Sequence, residues 1–177
     1  MDKSANLRFV EVQYSRQPWL WAVVLLPVCA TVAIFGYLVI EQVVFGRPVG
    51  NHPMSNQGLL AVSLLVLLFD AGLLALFLGA NLRTEVRDDG LYIRYRPFHF
   101  SFHRVPLQDV VQVQAVTYSP LREYGGWGIR YTRRGKAYNP MGNRGVKLDY
   151  RDGRHLLIGS QRPDELAAAI SSVRQSS

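Results

Sequence analysis

The sequence predicts a membrane α-helical hairpin, then an all-β antiparallel barrel or sheet, closed off by a C-terminal α-helix. Three observations carry this. Two long apolar runs are almost free of charge, the stretches after them alternate with a period of two, and the end of the chain returns to a helical period.

The first run, WLWAVVLLPVCATVAIFGYLVI, extends from Trp19 to Ile40 and holds no charged residue. As a helix at 1.5 Å per residue it reaches about 33 Å, against a hydrocarbon thickness of about 30 Å. Trp19 and Trp21 open it, where amphipathic rings favour a membrane interface. Pro27 is tolerated because a neighbouring helix can re-satisfy the carbonyl it frees. The second run, Gly58 to Ala80, carries a single charge, Asp70. Residues 41–57 between them are rich in Gly, Pro and Asn and read as an external loop. A cleaved signal has an apolar core of about 7–15 residues, shorter than the first run, and no second span follows it. The chain therefore divides into an N-terminal cytoplasmic segment 1–17, a transmembrane hairpin 18–82 with helices near 19–40 and 58–80, and a domain at 83–177.

Lys and Arg set the orientation. Lys3, Arg8 and Arg16 precede the first run, Arg47 stands alone in the loop, and Arg83 and Arg87 follow the second run. By the positive-inside rule both termini lie in the cytoplasm, which places the chain in the inner (cytoplasmic) membrane as a multi-pass protein. From Arg83 onward there are 16 Lys and Arg against 9 Asp and Glu, so the whole net charge of +7 can be assigned to the last domain. That charge suits an anionic leaflet. The one cysteine, Cys29, lies inside the first apolar run, which excludes an internal disulfide and a cysteine-based metal site.

After Arg83 the alternation begins. LYIRYR sets Leu91, Ile93 and Tyr95 against Tyr92, Arg94 and Arg96, and FHFSF continues it with Phe98, Phe100 and Phe102 on one side. VVQVQAVTY sets Val111, Val113 and Ala115 against Gln112 and Gln114. GIRYTR and VKLDYR repeat the pattern, and HLLIGS is a short apolar strand. Asp89-Gly90, Arg134-Gly135 and Asp152-Gly153 stand where tight hairpins belong. Six or seven strands in a meander follow from this, closed or nearly closed. At the end, Pro163 sits at a first helical position, Asp164 and Glu165 suit the helix dipole, and Leu166, Ile170 and Val173 form one apolar stripe. So short a helix must pack on the sheet to be stable.

Two passages carry a family resemblance. DDGLYIRYRPFHFSFHRVPLQDVVQV resembles the opening of bacterial pleckstrin-homology-like (PH-like) domains, and VKLDYRDGRHLLIGSQRPDELAAAI resembles their ending. The resemblance extends from about Trp19 to Ile170 and includes the two preceding helices, which such proteins often have. It implies a PH-like barrel capped by a helix, and it implies no particular activity.

Four groups of residues stand out as candidate sites. In YGGWGIRYTRRGKAYNPMGNRG, the order of Gly, Lys and Ser/Thr fits neither a P-loop nor a dinucleotide fingerprint. It reads as a Gly-rich strand entry, or as a partner-binding surface presenting Tyr124, Trp127 and Arg130, residue types enriched at interface hot spots. Arg87, Arg94 and Arg96 have the basic spacing of a headgroup site, although Asp88 and Asp89 at the turn oppose phosphate; diffuse attraction to anionic lipid is the expectation. His99 and His103 lie on a strand pattern with no carboxylate cluster near, so no metal site is expected. Asp70, mid-span, needs a partner on another helix. Ala71, Ala75 and Gly79 offer a small-residue seam beside it, and Cys29, Ala33, Gly36 and Tyr37 a matching groove.

No nucleophile elbow, catalytic carboxylate pair or RNA-binding sheet motif is present in the sequence. The expectation is a non-enzymatic membrane protein without cofactor. It presents a module for protein binding or homo-oligomerisation, with anionic lipid as a secondary contact and no nucleic acid. The alternative is an accessory subunit of a membrane enzyme, transporter or secretion complex.

Overall fold

A computed structural model describes residues 6–15, 17–133 and 135–175. The chain forms two compact units. One comprises residues 16–78; the other joins residues 1–15 to residues 79–177.

The first unit is an antiparallel helix pair. α1 spans Pro18–Val39 and runs on into a π-helical turn, Ile40–Val44; α2 spans Asn56–Gly79. Counting the π turn, the two helices have 27 and 24 residues, long and apolar enough to cross a bilayer. They meet along a heptad-like seam. Val24, Val28 and Gln42 are buried from the first helix and its extension, Leu59, Ser63 and Asp70 from the second. The remaining circumference is apolar and exposed, with Leu26, Leu65, Leu68 and Phe69 pointing outward. An apolar surface all round is what a helix shows when lipid is its solvent. The connection is shorter than the 41–57 loop the composition suggests, because Glu41 to Val44 stay helical. Gln42 Nε2 donates to the Met54 carbonyl at 2.5 Å and to Asn56 Oδ1 at 3.0 Å, which ties the π turn to the start of α2.

The second unit holds nine strands among the described residues: β1 Leu7–Tyr14, β2 Asn81–Arg87, β3 Gly90–Arg96, β4 His103–Val105, β5 Val110–Thr117, β6 Gly128–Thr132, β7 Gly135–Asn139, β8 Arg144–Tyr150 and β9 His155–Gly159. A one-turn helix, α3 Pro120–Tyr124, precedes β6, and α4 Pro163–Gln175 follows β9. The strands form two sheets, ordered β1-β2-β3-β4 and β5-β8-β9-β7-β6, and not one closed meander. The predicted hairpins at Asp89-Gly90 and Asp152-Gly153 are present, joining β2 to β3 and β8 to β9. Arg134 of the third lies outside the described residues, and β6 pairs with β7 across it.

Three sequence expectations are corrected. The strand-rich unit does not begin at residue 83, because the N-terminal segment contributes a strand to it: β1 pairs antiparallel with β2, from Leu7 opposite Arg87 to Tyr14 opposite Asn81. Its alternation is disguised because Phe9, Glu11 and Gln13 point inward while Leu7, Val10, Val12 and Tyr14 point outward. Glu11 and the Gln13 amide nitrogen find partners across the core, while Gln13 Oε1 is buried without one among the described residues. Glu11 accepts from Ser160 Oγ at 2.6 Å and Gln161 N at 2.8 Å, and Gln13 Nε2 donates to the Gly159 carbonyl at 2.6 Å. Second, β9 lies between β8 and β7 and runs parallel to β7. A central strand is buried on both faces, so Leu156, Leu157 and Ile158 form a continuous apolar run instead of alternating. Third, Phe98 to Phe102 are not strand. The chain turns away after Arg96, and Phe98 and Phe100 stand exposed.

A smaller difference concerns β5, where a bulge between Val110 and Gln112 turns Val111 outward. The alternation of β3 holds, with Leu91, Ile93 and Tyr95 buried. These residues join Leu82, Val86, Val146, Leu148 and Ile158 in a core shared by both sheets. The α4 stripe of Leu166, Ile170 and Val173 lies against it, contacting β1, β2, β3, β5 and β8.

Candidate functional site

The Gly-rich stretch divides into an inward and an outward part. α3 ends at Gly125, and Gly126 follows with φ +124°, a conformation that L side chains rarely adopt. This reversal turns Tyr124 inward. It is only 8% exposed, packs edge-on against Tyr118 at 5.7 Å, and its hydroxyl lies 3.3 Å from His155 Nε2. Burial pushes both Tyr118 and Tyr124 up to about 12. Tyr124 therefore belongs to a small second core with Ala137 and Leu157, and it is not a presented anchor. Trp127 and Arg130 remain at the surface. Trp127 is half-buried and donates from Nε1 to the Gly142 carbonyl at 2.8 Å, while exposed Arg130 donates from Nε to the Trp127 carbonyl at 2.8 Å. Both side chains are thus held in place by backbone carbonyls.

Sequence reasoning missed the cleft beneath Tyr124, of about 370 Å³, lined by Tyr118, Glu123, Tyr124, Lys147 and His155 among others. Its residues come from five separate elements, so no local motif announces it. Among the described residues no group of three or more His, Cys, Asp or Glu is placed to hold a metal. His99 and His103 stack at 4.0 Å between ring centroids, and burial lowers the His99 pKa.

The predicted basic triad does not converge. Arg87 and Arg96 stand at opposite ends of the β2–β3 ladder, opposite Gly90 and Asn81 respectively. Phe102 organises a different set instead. The guanidinium carbons of Arg94, Arg87 and Arg83 lie 4.7, 5.3 and 5.8 Å from its ring centre. Glu85, buried between them, reaches Arg87 at 2.6 Å and Arg83 at 2.7 Å. Hydrogen bonding to Glu85 raises the Arg87 pKa; desolvation, then the charges of Arg96 and Arg83, lowers that of Arg94. One carboxylate among these arginines leaves the face positive and suited to anionic groups. Arg83 is the member that sequence spacing overlooked. It joins the set because it lies opposite Arg94 in the register.

In the helix pair, Asp70 is buried and accepts a 2.6 Å hydrogen bond from Thr31 Oγ1, which also lies 2.9 Å from the Val28 carbonyl. The seam runs through Val24, Val28 and Thr31, not through Cys29, Ala33, Gly36 and Tyr37. Ala71, Ala75 and Gly79 face away from α1 and are exposed. Replacing Asp70→Ala is expected to weaken the pairing of α1 with α2 by about 0.6–2 kcal/mol, and Asp70→Asn by less, since an amide keeps the bond to Thr31. Thr31→Val should match Asp70→Ala, and a double mutant no worse than either single would establish the pair. Additive losses in detergent unfolding would count against it.

A family model, described as a family of unknown function (DUF6141), matches residues 2–177. The chain belongs to this family. The match takes in β1, the helix pair and both sheets, so the family is defined by the whole arrangement and not by the sheet unit alone. No curated protein and no solved structure matches the chain.

Proposed function

We propose that this chain is a non-enzymatic integral membrane protein whose hairpin spans the inner membrane, both termini being cytoplasmic. Its sheet unit is a PH-like interaction module that binds a protein partner or further copies of itself, with anionic headgroups as a secondary contact. The observation that carries the reading is the β1–β2 pair. Three residues separate the end of β1 from the start of α1, and one separates the end of α2 from the start of β2, so two short tethers join the module to the apolar hairpin. Such tethers hold it at the membrane surface, where its effective concentration toward membrane-bound partners is high. The two sheets sharing one core under a C-terminal helix support the PH-like reading. Trp127 and Arg130, fixed by their backbone bonds, supply the contact surface.

The exposed Ala71, Ala75 and Gly79 favour a second reading. A small-residue stripe turned away from α1 accommodates a helix from another subunit, as in an accessory subunit of a membrane enzyme, transporter or secretion complex.

The test is crosslinking in native membranes. Arg130→Ala and Trp127→Ala are expected to remove most of the crosslinked species, because truncating a hot spot costs about 2 kcal/mol or more of binding. Arg130→Ala should cost the fold only about 1 kcal/mol, the worth of its bond to the Trp127 carbonyl, and Trp127→Ala more, because part of the indole surface is buried as well. If both variants fold and crosslink as the parent does, the contact surface lies elsewhere. Affinity purification followed by mass spectrometry separates the readings: copies of this chain alone favour self-assembly, and a stoichiometric unrelated subunit favours the second.

A further inference from the structure

We infer that the loop 97–102 inserts Phe98 and Phe100 into the interfacial zone of the bilayer that anchors this chain. The inference rests on the proposal that the hairpin spans a membrane. Three observations combine. The first is exposure under constraint: Phe98 is 67% and Phe100 93% exposed. The loop is nevertheless pinned from below. His99 N donates to the Tyr95 carbonyl at 2.8 Å, and its ring lies 4.0 Å from that of His103 and 5.7 Å from that of Tyr138. His99 turns in, and the two phenylalanines flanking it turn out. Isolated exposed apolar residues are ordinary, but two aromatic rings held outward on one fixed turn are not.

The second is register. Arg96, where the loop leaves β3, is opposite Asn81, two residues past the end of α2. Asn81 is also opposite Tyr14, four residues before the start of α1. The loop thus emerges from the end of the sheet to which both apolar helices are covalently joined. The third is charge. Arg94 and Arg96 lead into the loop with no carboxylate between residues 94 and 102, whereas at the opposite end of the same ladder, six residues and about 20 Å away, Asp88 and Asp89 stand among Arg8, Arg87 and Arg104. Aromatic rings flanked by arginines alone match an interface of anionic headgroups better than an end where carboxylates stand among the cations. A protein partner has no such reason to be found at the tethered end.

The test uses the full chain with its one cysteine removed (Cys29→Ala) and single cysteines introduced for an environment-sensitive fluorophore. The protein is reconstituted into vesicles of phosphatidylethanolamine and phosphatidylglycerol, with and without brominated lipid. Phe100→Cys is the probe. Leu68→Cys, exposed in the middle of α2, reports the span, and Gln108→Cys, beside the Asp89-Gly90 turn, reports the far end of the sheet unit. Expected are a blue-shifted, bromolipid-quenched label at 100 and at 68, and an aqueous, unquenched one at 108. A label at 100 that behaves like the one at 108, while 68 is quenched, overturns the inference and leaves the membrane reading intact. An unquenched label at 68 overturns the membrane reading, and this inference with it. Shielding at 100 that occurs in native membranes but not in pure lipid overturns it in favour of a protein partner.

Discussion

Deleting residues 1–15 is expected to unfold the sheet unit, although the whole hairpin separates these residues in sequence from all other strands. β1 places Phe9 in the core beside Leu82 and Val86. Burying one such ring is worth about 1.5–3 kcal/mol. Without Glu11 and Gln13, the Ser160 hydroxyl and the Gly159 carbonyl lose their partners, at about 1–3 kcal/mol for each group left buried and unpaired, and the amide of the exposed Gln161 loses a further hydrogen bond. Arg162 would lose both its 2.6 Å bond to the Val10 carbonyl and its stacking on Phe9, which loosens the entry to α4. Together these reach the total stability of a typical domain, about 5–15 kcal/mol. The converse construction should succeed. Tyr14 and Asn81 are antiparallel partners, so a two-residue Asn-Gly turn can join β1 directly to β2 in place of the hairpin. The fused fragment is expected to be water-soluble and to unfold cooperatively in urea, while residues 79–177 alone give no transition. Equal midpoints for the two would mean that β1 is an ornament on an already complete fold.

Gly135→Ala should be the most damaging single methyl in the chain. Gly135 opens β7 and lies opposite His155, the first residue of β9, in the parallel pair that joins the two halves of the five-stranded sheet. A Cβ there would run into the His155 carbonyl oxygen, which is backbone and cannot swing aside as a side chain would. β9 cannot retreat either, because Leu156, Leu157 and Ile158 are buried between neighbours on both edges. Overpacking costs about 1–3 kcal/mol, sometimes more, and this site belongs at the upper end. The displacement would also pull His155 from the Tyr124 hydroxyl, opening the small second core. Denaturant unfolding and the near-ultraviolet signal of Tyr118 and Tyr124 both report it. An unchanged midpoint would show that the β7–β9 pair yields without cost.

The helices were legible because the signal is composition. A run of about twenty apolar residues has few fates in water, and no long-range partner is needed to see it. The turns at Asp89-Gly90 and Asp152-Gly153, and the stripe Leu166, Ile170, Val173, were legible because their causes are local: a turn conformation and a helical period. Legibility failed wherever a residue's meaning came from a partner distant in sequence. The inward face of β1 reads as polar until Ser160, Gln161 and Gly159 are brought to it from some 150 residues away. Asp70 announced that it needed a partner, but only the helix crossing selects Thr31 over the small residues near it. Tyr124 looked like an anchor because Tyr, Trp and Arg stood together, and the turn at Gly125 and Gly126 sends one inward and leaves two outside.

By itself, then, the sequence determined the apolar hairpin, the basic strand-rich unit beside it and the amphipathic helix at its end, since each follows from the solvation of a contiguous stretch. Only the tertiary structure decided that the strands form two sheets, that β9 enters parallel to β7, and that Arg83 replaces Arg96 around Phe102. It likewise decided that Phe98 and Phe100 leave the sheet and face outward. Strand pairing is a competition among distant segments for the same backbone hydrogen bonds. Its outcome depends on which side chains the whole core can bury at once, and no stretch of sequence carries that information alone.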